Sequence, residues 1–167
     1  MFSGRRSSDD FAREMLAHAD SLHNLARYLA GDEAEDLVQD TFARAMAAAH
    51  RFERGTNLKA FLFRILRNAF IDQVRRKGHI PEPTEPVPDL LRDDAELELL
   101  RGVVGRDIEQ ALLRLSPDSR TAILLDLEGL SEAEMAEVLE CARGTVKSRL
   151  SRARAALRQA LRAYRRT

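Results

Sequence analysis

The stretch Gly129 to Ala163, GLSEAEMAEVLECARGTVKSRLSRARAALRQALRA, limits the fold more than any other part of this chain. Ser131 is a good N-cap, and Glu134 three residues on completes a capping box. Met135, Ala136, Val138 and Leu139 then supply the apolar positions of a short helix, and Glu140, Cys141 and Ala142 make a turn. A second helix is expected from Arg143, because Val146, Leu150, Ala153, Leu157 and Leu161 recur at spacings of three and four and form one stripe. Two helices joined by such a turn form a helix-turn-helix.

At about 100° per residue, the side opposite that stripe carries Gly144, Ser148, Ser151, Arg152 and Ala155, flanked by Lys147, Arg149 and Arg154. Small residues at the centre let a helix sink into a groove. From Arg143 to Thr167 there are nine Arg or Lys and no Asp or Glu, a charge of +9. A solvated surface helix normally mixes signs. An unmixed cationic helix with a small-residue face fits the major groove, with flanking cations toward phosphates and Arg152 and the hydroxyls toward base edges.

The chain has 167 residues with a formal net charge of zero, but that zero is the sum of opposed segments. Asp32, Glu33, Glu35, Asp36 and Asp40 are clustered; Arg51 to Lys77 carries +6; Glu82 to Glu98 carries −6. Such asymmetry suggests basic surfaces for nucleic acid and acidic ones for a partner. Ala, Leu, Arg and Glu dominate and β-branched alternation is missing, so the expected fold class is all-α: two small helical domains joined by a flexible linker. The linker lies at residues 80–92, where Pro81, Pro83, Pro86 and Pro88 should keep the chain extended and mobile. It separates domains at 1–79 and 93–167.

In the first domain, Asp9 or Asp10 caps a helix expected to run to about Ala30, with Phe11, Met15, Leu22, Leu25 and Leu29 inside and Gly31 as its stop. Asp32 is expected to cap the next helix with Glu35 in capping-box position, and Val38, Phe42, Ala45, Met46 and Ala49 as its apolar side. Asp36, Gln39, Asp40 and Ala43 lie together elsewhere on that helix; acidic residues there suit either a basic partner or simply the helix dipole. After the polar loop RFERGTN comes LKAFLFRILRNAFIDQVRRKG, apolar over most of its circumference and so the expected buried centre. Its polar residues Arg64, Arg67, Asn68 and Arg75 project within about 100° of one another. That stripe can follow a phosphate backbone, with Phe52 in the adjacent loop to stack or pocket an unpaired base; it can also be the wet edge of a half-buried helix. In the second domain the helix near Asp93 is expected to break around Gly102 and Gly105. Ile108, Leu112 and Leu115 continue an apolar stripe, Ser116 and Pro117 restart the helix, and Ile123, Leu124 and Leu127 pack behind the helix-turn-helix.

One cysteine, Cys141, excludes an internal disulfide and fits a reducing compartment. His18, His23, His50 and His79 sit at no ligand spacing, so no metal or other cofactor is expected. No nucleophile triad or phosphate loop gives a basis for an enzyme. No leader and no membrane-spanning run is read, so a cytoplasmic location is expected.

Taken together, AEDLVQDTFARAM, the loop and AFLFRILRNAFIDQVRRK, the proline-rich linker, and LSPDSRTAILLDLEGLSEAEMAEVLECARGTVKSRLSRARAALR resemble the extracytoplasmic-function, or group IV, sigma factors of the sigma-70 family. The likeness covers nearly the whole chain in order. It implies a region 2-like domain and a region 4-like domain, and a factor that takes core RNA polymerase to promoters. It implies that Asp36, Leu37, Gln39, Asp40 and Phe42 help dock on the polymerase clamp coiled coil, with the flap as a second contact. It implies that the loop with Phe52, Arg54 and Asn57, together with Asn68, captures a base flipped from the minus-10 element, with Arg64, Arg67 and Arg75 on adjacent DNA. The minus-35 element would meet Arg143, Gly144, Thr145, Lys147, Ser148, Arg149, Ser151, Arg152 and Arg154, with Lys147, Ser148, Ser151 and Arg152 toward bases and Thr145, Arg149 and Arg154 toward phosphates. Control by a cognate anti-sigma protein is a further implication. The chain departs from the usual pattern in having no Trp near Phe61 and Leu62, and Lys147 stands where many relatives carry arginine. Two rival readings are a stand-alone helix-turn-helix activator, which would not need the Arg64, Arg67, Asn68 stripe, and a sigma-mimicking adaptor that titrates an anti-sigma protein, which would not need an intact recognition helix.

Overall fold

Leu62, Phe63 and Leu66 are fully excluded from solvent, which makes the helix that carries them the axis of the first half of the molecule. The computed structural model describes residues 3–79 and 95–166, and all regular structure in them is helical. The expected linker at 80–92 lies outside the described residues. Eight α-helices follow in order: α1 Ser3–Leu16, α2 Ala19–Ala30, α3 Ala34–Ala47, α4 Leu58–Lys77, α5 Ala95–Arg114, α6 Pro117–Leu127, α7 Glu132–Leu139 and α8 Arg143–Ala160. Short 3-10 turns occupy Gly31–Glu33, Ala49–Arg51 and Leu161–Arg166.

Helix α4 packs against α1, α2 and α3. Asn57 caps it, its Oδ1 accepting from the Ala60 N–H at 3.4 Å, and Gly78 ends it at φ 71, its N–H donating to the Val74 carbonyl at 2.9 Å. The inner residues Phe11, Met15, Leu22, Leu25 and Leu29 are all buried as expected. The single helix expected from Asp9 or Asp10 to Ala30 is instead two. It starts earlier, at Ser3, and breaks at Ala17 and His18, where the His18 N–H turns back to the Met15 carbonyl at 3.0 Å and the Leu22 N–H resumes the ladder on the His18 carbonyl at 3.1 Å. No Gly or Pro marks that break. The two pieces answer to different neighbours, α1 to α3 and α4, and α2 to α6 as well.

Asp32 is not a cap. Gly31, at φ 56, closes α2 and leads into the 3-10 turn, so α3 begins at Ala34 with no side-chain cap bond. Helix α3 buries Ala34, Leu37, Val38, Thr41 and Ala45, a face rotated from the expected one, and Met46 is exposed. Thr41 satisfies its buried hydroxyl on the Leu37 carbonyl at 2.7 Å.

In the second half, α8 packs against α5, α6 and α7. Ser116 caps α6, its hydroxyl accepting from the Ser119 N–H, with Pro117 at the first helical position. Helix α5 runs unbroken through Gly102 and Gly105. Two glycines cost a helix interior about 2 kcal/mol relative to alanine, and packing of α5 on α8 offsets that penalty. Ile123 and Leu124 are buried, but Leu127 is 71% exposed and does not pack behind the helix-turn-helix; Leu125 and Leu130 take that place.

Arg120 is the one buried cation among the described residues. It is 5% exposed, and its four hydrogen bonds go to backbone carbonyls. Nε donates to Leu112 at 2.9 Å, Nη2 to Leu113 at 2.8 Å and Leu115 at 2.9 Å, and Nη1 to Tyr28 at 2.8 Å. The guanidinium thus caps the last turn of α5, where the helix dipole favours a cation, and also reaches α2. Burial pulls its pKa below the ordinary arginine value, yet an arginine remains charged at any physiological pH.

Candidate nucleic-acid and polymerase interface

The capping box of α7 is fully formed. Ser131 Oγ accepts from the Glu134 N–H and Glu134 Oε1 accepts from the Ser131 N–H, both at 3.1 Å. These bonds hold the Glu134 carboxyl below the usual carboxylate range, the backbone donor of Ser131 being the largest cause. The turn follows at Glu140, which adopts φ 51, and α8 starts after Ala142. Val146, Leu150 and Ala153 are buried and Leu157 is partly so, so the expected stripe is the packed one. Leu150→Ala is expected to cost about 3 kcal/mol through the lost methyl groups and the cavity, to be read from urea unfolding, and to weaken duplex binding because α8 loses its seat.

The opposite side of α8 is open: Gly144, Lys147, Ser148, Ser151, Arg152 and Ala155 are all exposed, with Arg143 and Thr145 at its start. Two flanking arginines have a second task. Arg149 is held by Asp118 of α6 at 3.3 Å and lies 3.5 Å from Cys141 Sγ, and its side chain is only 19% exposed. Arg154 reaches Asp126 at 3.0 Å but stays half exposed. Both ion pairs bind α8 to α6, and Lys147 stands 3.8 Å from Glu132 of α7. The charge offered to solvent is therefore concentrated on Arg143, Lys147, Arg152 and the helix C-terminal half.

On α4, Arg64 and Arg75 are exposed and Arg67 and Asn68 half-buried, so the stripe is a continuous edge of an otherwise buried helix. The loop before it ends on exposed Arg54, Thr56 and Asn57. Phe52 is not splayed outward. It packs on Phe61 with ring centroids 5.3 Å apart and on Phe11 of α1 at 5.9 Å, so its ring anchors the loop and the polar residues form the rim. A cavity of about 800 Å³ opens between this loop and α1, lined among others by Asp10, Phe11, His50, Arg54 and Gly55.

On α3, Asp36 and Gln39 are exposed and Asp40 is half-buried. Asp40 is tied to Arg44 at 3.2 Å, and Arg44 continues to Asp72 of α4 at 2.7 Å. That bond holds the Asp72 carboxyl below its ordinary range and fixes Asp40 relative to α4. Leu37 is fully buried, so it supports this face from within and cannot itself touch a partner; Phe42 is partly buried against the core.

Residues 15–80 match the family model of sigma-70 region 2, and residues 105–157 that of sigma-70 region 4. The chain is 36% identical to the ECF RNA polymerase sigma factor EcfG of Rhodopseudomonas palustris, over 90% of this chain and 84% of that protein. The chain belongs to the ECF sigma factors. It is also 38% identical to the ECF sigma factor SigE of Mycolicibacterium smegmatis over 93% of its own length, and it spans 62% of that relative. Among solved structures, the sigma factor RpoE of Bartonella quintana, determined with the anti-sigma factor NepR, is similar with a TM-score of 0.74 and 38% identity over 91% of this chain and 96% of that one. CnrH, determined with the cytosolic domain of CnrY, has a TM-score of 0.63 and 30% identity over 95% of this chain and 94% of that chain. In this ECF sigma factor the region 2 match contains α2, α3, α4 and the loop, and the region 4 match contains the second half of α5 together with α6, α7 and most of α8.

Sequence reasoning missed Arg120, Lys59 and Glu128. Lys59 Nζ donates to Glu128 Oε2 at 2.9 Å, and Ser21 Oγ donates to the same oxygen at 2.9 Å. Partners 69 and 107 positions apart leave no periodic signal. Among the described residues no helix is long and apolar enough to cross a membrane.

Proposed function

We propose that this chain binds core RNA polymerase in the cytoplasm and directs promoter-specific initiation, under the control of an anti-sigma protein and with no chemistry of its own. Residues 1–79 dock on the polymerase clamp coiled coil and engage the minus-10 element; residues 93–167 read the minus-35 element and meet the flap; residues 80–92 join them. The single observation that carries this reading is the presence, in one chain, of an exposed small-residue basic face on α8 and a polar edge on α4 with Arg64 and Arg75 exposed and Arg67 and Asn68 half-buried between them. A stand-alone duplex reader needs only the first. Two modest grips on one promoter, joined by a tether, act with raised effective concentration.

Within this reading Asp36, Gln39 and Asp40 face polymerase. Asn57 and Asn68 hold an extruded base, whose unstacking costs a few kcal/mol that a fitted pocket offsets. Arg152, Ser148 and Ser151 meet base edges, and Arg143, Thr145 and Lys147 meet phosphates. Arg149 and Arg154 reach phosphates only by sharing or leaving their carboxylates on α6.

Co-sedimentation with purified core polymerase tests the docking assignment. Asp40→Ala is expected to weaken association about tenfold, as for one charge-assisted contact of ~1.4 kcal/mol, while leaving affinity for isolated minus-35 duplex unchanged. Unchanged association with polymerase would remove Asp40 from the docking face.

A further inference from the structure

Helix α8 carries no acidic residue of its own, so any carboxylate that meets its cations must come from another helix. Two come from α6. Asp118 Oδ2 lies 3.3 Å from Arg149 Nη2, and Asp126 Oδ2 accepts from Arg154 Nη2 at 3.0 Å. Asp118 stands in the first turn of α6, where the helix dipole favours an anion. Asp126 has no such reason for its place. It lies in the last turn, where the dipole disfavours a carboxylate, and no basic residue of α6 accompanies it there. The cations left open on α8 are different ones. Arg152 is exposed and joins no ion pair among the described residues, and the Lys147 side chain is 67% exposed with only a loose 3.8 Å approach to Glu132.

We infer that Asp118 and Asp126 are specificity-determining residues: they hold Arg149 and Arg154 on the protein side, so that α8 grips a duplex through fewer phosphates than its charge would allow. This inference rests on the minus-35 role proposed for α8. Phosphate contacts carry no sequence information, and each cation that meets one adds the same grip on every duplex. Specificity is a difference between affinities, so withholding two such cations serves it as well as a new base contact would. An arginine already paired with a carboxylate has little net charge to offer a phosphate. Once base contacts fix the register, α8 cannot shift to bring a released arginine to a phosphate; on an unmatched sequence it can. Removing the carboxylate therefore favours the wrong duplexes more than the right one.

Asp126→Asn and Asp118→Asn delete the charge and keep the shape, and neither residue is assigned to DNA or polymerase. Fluorescence anisotropy of the full chain with a labelled pool of random-sequence duplexes, titrated across a range of salt concentrations, reads the sequence-independent grip. Sequencing of the bound fraction reads preference, and circular dichroism checks that helices and melting match the parent. Asp126→Asn is expected to steepen the fall of log affinity with log salt by about 0.9, the value for one further phosphate. With the two forms alike near 1 M, that is about eightfold tighter binding of the pool at about 0.1 M salt. Enrichment of the preferred sequences should fall at the same time. Asp118→Asn should act in the same direction by less, since the Arg149 side chain is only 19% exposed and also donates to Cys141 Sγ at 3.5 Å. In an Arg154→Ala background Asp126→Asn should no longer change the slope, because the cation it would release is gone. A parent slope in Asp126→Asn overturns the inference, and so does an equal steepening with Arg154 already removed, which marks a general effect of charge. A full loss of about 0.9 from the slope in Arg154→Ala alone overturns it too, since that arginine would already meet a phosphate. If the parent enriches sequences and Asp126→Asn enriches them equally, the inference fails and the minus-35 reading stands. If the parent enriches no sequence at all, the minus-35 reading has failed and takes the inference with it.

Discussion

Arg152→Ala is expected to lower affinity for minus-35 duplex about 10- to 100-fold, because a bidentate arginine contact to a base edge contributes ~1–3 kcal/mol of discrimination. The residue lies at the centre of the exposed face of α8. Its neighbours Arg149 and Arg154 are engaged by Asp118 and Asp126, whereas Arg152 takes part in no ion pair among the described residues. Nothing in the core depends on it, so unfolding should be unaltered to within about 0.5 kcal/mol. Gel-shift titrations at two salt concentrations separate base reading from charge. Loss of Arg152 should flatten the preference among sequences, whereas Lys147→Ala should weaken all duplexes alike and reduce the salt slope by about one. An Arg152→Ala protein that kept its sequence preference would move base reading elsewhere on α8.

The second large effect is on stability. Arg120→Leu removes the donor for four carbonyls; that of Leu112 keeps the Leu115 N–H at 3.1 Å, while those of Leu113 and Leu115 at the end of α5 and of Tyr28 on α2 lose the guanidinium. A buried acceptor left unpaired costs ~1–3 kcal/mol. The substitution is therefore expected to destabilise the fold by about 4 kcal/mol and to lower the thermal midpoint by about 10 °C. Arg120→Lys should recover only part of this, because an ammonium cannot span the fork that a planar guanidinium fills. Urea unfolding at constant m-value checks the prediction, and a loss below about 1 kcal/mol would mean that water replaces the missing donors.

The legible parts of this fold were those decided by neighbours in sequence. Ser131 with Glu134, and Ser116 with Pro117, are local devices, and both operate as their spacing indicates. The stripe through Val146, Leu150 and Ala153 follows from helical periodicity alone, and it left the exposed face of α8 readable in advance. Where long-range packing decides, local signals mislead. Asp32 has the right neighbours for a cap, but a closure at Gly31 takes the chain through a 3-10 turn first. Gly102 and Gly105 suggest a break that docking on α8 overrides. The resemblance groups Leu37 with Asp36 and Asp40, whereas the helix turns it fully inward. Leu127 falls at an apolar spacing in α6 but faces solvent at the helix end. Arg120 gives no warning at all, since a buried arginine bound only by carbonyls has no partner residue type to look for.

The candidate sites divide the same way. Gly144, Ser148, Ser151 and Arg152 are one face of one helix, and helix geometry places them together. The bracing of Asp40 by Arg44 and Asp72, and of the loop before α4 by Phe11 and Phe61, joins different helices and emerges only from tertiary structure.

The central claim is that this chain tells core polymerase where to begin. Purified core enzyme is to be given a promoter library randomised around the minus-10 and minus-35 positions, with and without the chain, and the RNA 5′ ends sequenced. The account predicts discrete start sites that appear only with the chain, share a two-part motif upstream, and lose the minus-35 part with Arg152→Ala. Start sites that are the same in its presence and absence would contradict it.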